Sequence, residues 1–364
     1  MINKVLFSNY KAFTTDENGE LNCLELRPIT LLLGKNSSGK SSLIKLLEMI
    51  SQSFDGERAK SIENSPALFH NKQGGTPIHL ELINEVDKVN FTVEYVRTNG
   101  QTTPITIKIN EIEILTKPNL EIGNPPLAQF VKQTNFSIDS FRFSMQHIGP
   151  WRKGLVSSIF DPKKCDDVDP AYIALLDSYK QNTDLYKNVQ KWMGSAEMEN
   201  QPIHISNVPE TELYRFEINR NEVNIGIDDV GTGVSQVLPI IVQSFNPNGA
   251  DVVAIEQPVL HLHPAVHAAV ARRLAESAKQ LNRCYVIESH SLNFLLGLRL
   301  AVASHNVNFT PNDIVIYFLD TNNNNCSQLV KITIDNNGQL SYWPYGVFGE
   351  HADLTRDLIK QSHN

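Results

Sequence analysis

The residues Gly34-Lys35-Asn36-Ser37-Ser38-Gly39-Lys40-Ser41-Ser42 combine the parts that a grip on a phosphate chain requires. Glycine lets backbone N–H groups turn inward and approach an anion closely. Lys40 is placed to reach the β- and γ-phosphates of a nucleotide, and the Ser41 hydroxyl to ligate Mg²⁺. The expected contact set is Gly34, Asn36, Ser37, Ser38, Gly39, Lys40, Ser41 and Ser42. The flanks agree: the apolar run Ile29 to Leu33 predicts a buried parallel strand, and the apolar spacing of Leu43 to Ile50 predicts a helix. A strand before and a helix after are the context this loop needs, because the helix N-terminus adds partial positive charge.

Three later segments carry further chemistry. Val252 to Ile255 is an apolar strand ending in Glu256 and Gln257, which puts a carboxylate where it can orient Mg²⁺ or its water shell. Asp228 to Pro239 is a glycine-containing turn that opens an apolar helix. Its Gly231, Thr232, Gly233, Ser235 and Gln236 suit an anion as well as they suit a plain helix start. His290 follows a third apolar strand, Tyr285 to Ile287. A lone histidine is commonly structural, but ligands gather at the carboxyl ends of parallel strands.

These segments need a scaffold. Val5 to Phe13 predicts a first strand, with Leu21 to Leu26 returning as its hairpin partner. Ile78–Leu82, Val89–Tyr95 and Ile105–Ile109 alternate with period two and predict half-exposed antiparallel strands. Pro170 to Met198 has helical spacing and reads as a small helical insert. A helix over Ala265 to Leu281 and a strand over Ile314 to Leu319 complete a second α/β portion, and Asn322 to Asn325 reads as a solvated hairpin tip. The expected division is an N-terminal lobe with the phosphate loop over 1–150, the insert over 151–202, a C-terminal α/β lobe over 203–335 and a tail over 336–364.

The chain of 364 residues is long enough for a large core, and 41% hydrophobic with 20% charged residues is a globular composition. A net charge of −8 argues against a surface adapted to coat nucleic acid. A modest basic cluster of Arg152, Lys153, Lys163 and Lys164 leaves open a local contact or mere surface charge. No apolar run approaches the ~18 residues of a membrane span, and Met1 to Lys4 does not open a signal peptide. Cys23, Cys165, Cys284 and Cys326 are scattered, as expected of reduced thiols in the cytoplasm.

Taken together, the motifs resemble those of ATP-binding-cassette ATPases of the SMC/RecF/OLD kind. Asn9-Tyr10-Lys11-Ala12-Phe13 is similar to that group's N-terminal strand. Gly231 to Gln236 matches its signature segment, Glu256-Gln257-Pro258 its Walker B position, Leu262-His263-Pro264 its D-loop and His290 its switch histidine. More narrowly, Asp229 to Val242, Ile255 to Pro264 and Ile287 to Ser291 resemble bacterial AAA-type ATPases with a DUF3696 tail, and Gly338 to Ile359 is similar to that tail. The resemblance implies an α/β P-loop NTPase of ABC-head type, with a mixed sheet core, an antiparallel β lobe and a small helical insert. It further implies ATP and Mg²⁺ as cofactors, a homodimer closed around ATP, catalytic roles for Glu256, Gln257 and His290, and a metal held by Ser41 and Glu256. An effector protein acting in trans and a setting in anti-phage defence or DNA transactions follow from the same resemblance.

Two departures stand out. The wider group ends its Walker B strand in Asp-Glu; here the pair is Glu256-Gln257. Glutamine positions water but takes no proton near neutral pH, so slow hydrolysis is expected unless Glu256 or an opposite subunit supplies the base. The signature serine position holds Gly231, with Ser235 as a candidate replacement, and Gln73 and Gln146 compete for the Q-loop role. Among other functions, an OLD-like nuclease that cuts nucleic acid itself needs an acid-rich domain, and 336–364 is too short for one. A transporter subunit finds no support in the alternating strands and acidic surface. Coiled-coil arms find none in the insert, which lacks a sustained heptad pattern.

Overall fold

The computed structural model describes residues 2–16, 18–55, 58–62, 65–70, 76–98, 100–115, 125–152, 159–161, 169–304, 308–322, 326–343 and 356–360. The chain forms two compact units: residues 1–145 with 311–364, and residues 146–310.

The first unit opens with β1 (Lys4–Ser8), paired antiparallel with β2 (Asn22–Glu25). The apolar β3 (Ile29–Gly34) is buried along its whole length. Helix α1 (Lys40–Ser53) buries Leu43, Ile44, Leu46, Leu47 and Ile50, a stripe at helical spacing. Next come β4 (Ile78–Asn84), β5 (Val89–Thr98), β6 (Gln101–Ile109) and β7 (Ile112–Leu115), which extend an antiparallel sheet of order β2-β1-β4-β5-β6-β7. In β4 the alternation puts Ile78, Leu80, Leu82 and Asn84 inside. The Asn84 amide is satisfied there, donating to Asp87 Oδ2 at 2.8 Å and Ser140 O at 2.7 Å. Phe54, Phe91 and Phe141 cluster around the end of α1. The short α2 (Leu127–Val131) follows.

The second unit contains β8 (Met145–Ile148), β9 (Ile159–Phe160) and the insert, which is two helices, α3 (Pro170–Gln181) and α4 (Asp184–Met193). Asp169 caps α3, its carboxylate accepting from Ala171 N, and Pro170 occupies the first turn. Strands β10 (Ile203–Asn207), β11 (Tyr214–Arg220) and β12 (Val223–Gly226) form a small antiparallel sheet that β9 joins through β11. Helix α5 (Thr232–Phe245) leads to β13 (Val252–Glu256), then α6 (Pro264–Gln280), β14 (Cys284–Glu288) and α7 (Leu292–Ala303). β13 and β14 run parallel with Glu256 opposite Glu288, and β8 flanks β13. Helices α6 and α7 touch at Gly297, where a Cβ would lie 2.7 Å from Ala268 Cα, so no larger residue fits.

The chain then returns to the first unit. β15 (Ile314–Thr321) lies parallel to β3, with Leu319 opposite Gly34, and antiparallel to β16 (Ser327–Ile332). Residues 323–325 of the expected hairpin tip lie outside the described residues.

Candidate functional site

In the first unit the expected phosphate loop is fixed by close packing. Gly34 has φ 146°, and a Cβ there would sit 2.3 Å from Leu319 O on β15, so the strand partner walls the loop. Gly39 has φ 101°, and a Cβ there would press on the Phe13 ring at 2.8 Å and Ser327 Oγ at 3.0 Å. Ser327 N in turn donates to Ala12 O at 2.7 Å. The Asn9–Phe13 segment and the β15–β16 hairpin together form the bed on which the loop rests. Lys40 is 4% exposed, and its Nζ donates to Gly34 O at 3.0 Å and Lys35 O at 2.7 Å, spanning the loop.

The loop has the features of an anion cradle. Gly39 is the N-cap of α1 and has no side chain with which to cap it, so the helix start presents backbone N–H groups and partial positive charge to the loop. Ser38 Oγ is buried with no hydrogen-bond partner among the described residues, and a buried orphan hydroxyl of this kind signals a missing acceptor or donor. Ser37 adopts φ 63°, and Lys35, Asn36 and Ser37 are exposed around the rim. A polyphosphate with Mg²⁺ fits these residues: Lys40 would neutralise phosphate charge and Ser41 would reach the metal.

The remaining expected residues lie in the second unit. Glu256 ends β13, and its Oε1 accepts a hydrogen bond from His147 Nε2 at 2.8 Å. A carboxylate only accepts, so Nε2 carries the proton. Gln257 has φ 51°, an uncommon conformation for a non-glycine residue. Its N–H donates to Glu288 O at 2.8 Å, while its carbonyl accepts from Arg152 Nη2 at 2.8 Å. Arg152 Nη2 also donates to Glu256 O at 2.6 Å, and Nη1 to Gln236 O at 3.4 Å. Arg152 is 7% exposed; burial lowers its pKa to about 10, and the charges of Asp169 and Glu256 oppose that shift. It stays protonated at neutral pH. The sequence left Arg152 open as surface charge or a nucleic-acid contact, and the structure corrects that reading: the side chain is turned inward onto three carbonyls. Lys153, Lys163 and Lys164 lie outside the described residues.

Gly231 is the N-cap of α5 and, like Gly39, offers no side-chain cap. Nothing lies within 4 Å of a Cβ at Gly231, whereas at Gly233 a Cβ would meet His261 O at 2.5 Å. Gly233 therefore lets the signature segment close onto the D-loop segment. Ser235, the candidate replacement for the signature serine, lies on the same helix start, and its Oγ donates to Thr232 O at 3.1 Å. The Gln236 side-chain oxygen is buried with no partner among the described residues. Gly231, Thr232, Gly233, His261, His263 and Arg220 line a cavity of about 270 Å³ at the start of α5. Glu199 also lines it, its carboxylate accepting from Gln201 Nε2 at 3.2 Å.

His290 is exposed just past β14. The adjacent Ser291 caps α7 by accepting from Phe294 N at 3.1 Å, and its Oγ meets His267 Nδ1 at 2.7 Å. His267 Nε2 lies 3.1 Å from Leu262 O, so Nε2 donates there and Nδ1 accepts the Ser291 hydroxyl proton. Burial, foremost, pushes the His267 pKa down and favours this neutral tautomer. One imidazole thus joins the D-loop and switch-histidine segments.

Gln146, one Q-loop candidate, accepts a hydrogen bond from Gln243 Nε2 on α5; Gln73, the other, lies outside the described residues. His147, Arg152, Arg220 and His267 were not singled out as site residues from sequence. Of these, sequence drew attention only to Arg152, as part of the basic cluster. Among the described residues no helix is long and apolar enough to cross a membrane.

Comparison with known proteins identifies the frame. Residues 29–296 match the family described as "AAA domain, putative AbiEii toxin, Type IV TA system". Residues 309–358 match DUF3696, a family of unknown function. Leu319 and Ser327, which wall the phosphate loop, fall inside the second match. No curated protein gives a significant sequence match. Among solved structures, an SMC head bound to the C-terminal winged-helix domain of ScpA is similar at TM-score 0.56 and 12% identity, covering 91% of this chain and 98% of that one. The SMC head domain of Thermotoga maritima gives 0.48 at 12% identity, covering 90% of this chain and 98% of that one. An SMC head with extended coiled coil bound to the C-terminal domain of ScpA, from Pyrococcus furiosus, gives 0.46 at 12% identity, covering 91% and 96%. The first of these shows the fold expected from sequence, a P-loop NTPase of ABC-head type with an antiparallel β lobe and a helical insert. The chain belongs to this AAA-domain family of ATPases and carries a DUF3696 segment at its C-terminal end.

Proposed function

We propose that the protein is an ATP- and Mg²⁺-dependent switch that pairs with a second copy of itself around bound ATP. Lys40 and the start of α1 would hold the phosphate chain, Ser41 would ligate the metal, and Glu256 would orient Mg²⁺ or its water shell. The observation that carries the reading is the cavity at the start of α5, where Gly231 to Gly233 meet the D-loop segment. It is a second anion-accepting helix start on the same chain, suited to the γ-phosphate of ATP held by a partner copy. Arg220 adds positive charge where Gly231 removes the signature hydroxyl. A ligand shifts such an equilibrium only through its differential affinity for the closed state, and the γ-phosphate supplies that difference.

Hydrolysis in this reading is slow. Gln257 orients water without accepting its proton, and phosphoryl transfer then relies on positioning and charge neutralisation. The closed state would persist and be read by an effector protein in trans. We place this switch in the cytoplasm and in anti-phage defence; the putative AbiEii toxin and type IV toxin–antitoxin description of the family supports the defence setting, and the winged-helix partner of the SMC head supports docking of a second protein. Sedimentation velocity tests the reading: ATP with Mg²⁺ is expected to yield a dimer, ADP with Mg²⁺ a monomer. Single-turnover cleavage that is fast and independent of Glu256 would refute the slow switch.

A further inference from the structure

Arg152 is a buried charge that, among the described residues, donates to three main-chain carbonyls. Two belong to Glu256 and Gln257, at the end of β13, and the third to Gln236, in the second turn of α5. A guanidinium is planar, always charged near neutral pH and offers donors in a fixed fork, so it fixes the relative positions of the groups it bridges. The bonds are unequal. Those to Glu256 O and Gln257 O are short, at 2.6 and 2.8 Å, whereas that to Gln236 O is long at 3.4 Å. Nε is buried without a hydrogen-bond partner among the described residues. The fork is thus tight on the β13 side and has slack on the α5 side.

What the tight side holds matters for chemistry. Gln257 sits at φ 51°, and its main chain is gripped at both ends, by Glu288 O and by Arg152. These two main-chain bonds flank a residue whose backbone conformation is uncommon for anything but glycine. The slack side is anchored as well: Tyr172 OH donates to Ser235 O at 3.2 Å, and Asp169, which caps the same helix α3, lies close enough to stabilise the Arg152 charge.

We propose that Arg152 is a positioning residue that couples helix α5 to the metal- and water-handling end of β13, so that a phosphate engaging Gly231 to Gly233 tightens the Gln236 contact and sets Gln257. The inference rests on the switch reading above. A small shift of α5 toward Arg152 shortens a weak hydrogen bond into a strong one, and the same guanidinium carries the change to Glu256 and Gln257.

The test compares the full-length protein with Arg152→Lys, which keeps the charge and loses the fork, and Arg152→Gln, which keeps donors without charge. In the unsubstituted protein, hydrolysis per protomer is expected to rise with protein concentration as dimers form. In Arg152→Lys we expect unchanged affinity for a fluorescent ATP analogue and unchanged ATP-dependent sedimentation, with the concentration-dependent rise in rate reduced at least tenfold. Hydrolysis in Arg152→Lys within twofold of the parent at every concentration overturns the proposal. If both variants lose nucleotide binding along with rate, Arg152 is a folding residue only and the proposal fails. If the unsubstituted protein itself shows no ATP-dependent dimer, it is the switch reading that fails, a result distinguishable from the other two.

Discussion

Two helix starts on this chain present the same chemistry by different means. At α1 the cradle is local: Gly34 to Ser42 is one continuous stretch, walled by the backbone of β15 and bedded on Phe13 and Ser327. At α5 the cradle is composite: Gly231 to Gly233 packs against a separate segment, with His261 O 2.5 Å from where a Gly233 Cβ would be. Both helices lack a side-chain cap, yet only the first carries a buried lysine across its loop. The difference teaches a division of labour. In the function proposed above, the loop spanned by its own buried lysine holds a nucleotide alone, and the α5 loop, whose cavity takes its cation from Arg220 on β11, recognises a phosphate that another chain presents.

Substitutions can break that comparison on either side. The largest effect is expected from Lys40→Ala, which removes the charge at α1. A lost charge-assisted contact of ~3 kcal/mol corresponds to about a hundredfold weaker ATP binding, measured by titration with a fluorescent analogue. Gly233→Val should do the reverse. Its Cβ must displace the His261 backbone, at a cost of about 1–3 kcal/mol, so dimerisation with ATP is lost while nucleotide binding by the monomer stays within a few fold. If Gly233→Val abolishes nucleotide binding as well, the two cradles are not separable.

Subtler changes sharpen the contrast. Gln257→Glu restores a carboxylate beside Glu256 and is expected to raise the single-turnover rate at least tenfold, in line with the ~10²–10⁴ range of general base catalysis. No change in rate would show that glutamine was not the limiting group. The smallest effect is expected from Ser327→Val, which crowds Gly39 and Phe13 from the DUF3696 side. Several-fold weaker ATP binding with unchanged dimerisation would establish that this segment, whose family has no known function, shapes the phosphate loop.

What sequence could and could not reveal follows the same line. The α1 cradle was legible because every chemical part lies within Gly34 to Ser42, and the strand and helix around it have their own periodicity. The antiparallel strands over 78–109 and the two-helix insert were legible for the same local reason. Leu319 as the wall of Gly34 was not, because β3 and β15 pair across nearly the whole chain and an apolar strand gives no sign of which neighbour it will choose. Arg152 was misread because a Lys- and Arg-rich stretch looks like solvated charge. Its acceptors are carbonyls 84, 104 and 105 positions away, and carbonyls have no residue identity to search for. His147 and His267 escaped notice as single histidines whose partners come from other elements.

The central claim is that the γ-phosphate is what joins two copies of this chain. Sedimentation velocity of the full-length protein in Mg²⁺ with ATP, and separately with ADP, measures it directly. The account predicts a dimer with ATP and a monomer with ADP; identical profiles with the two nucleotides would contradict it.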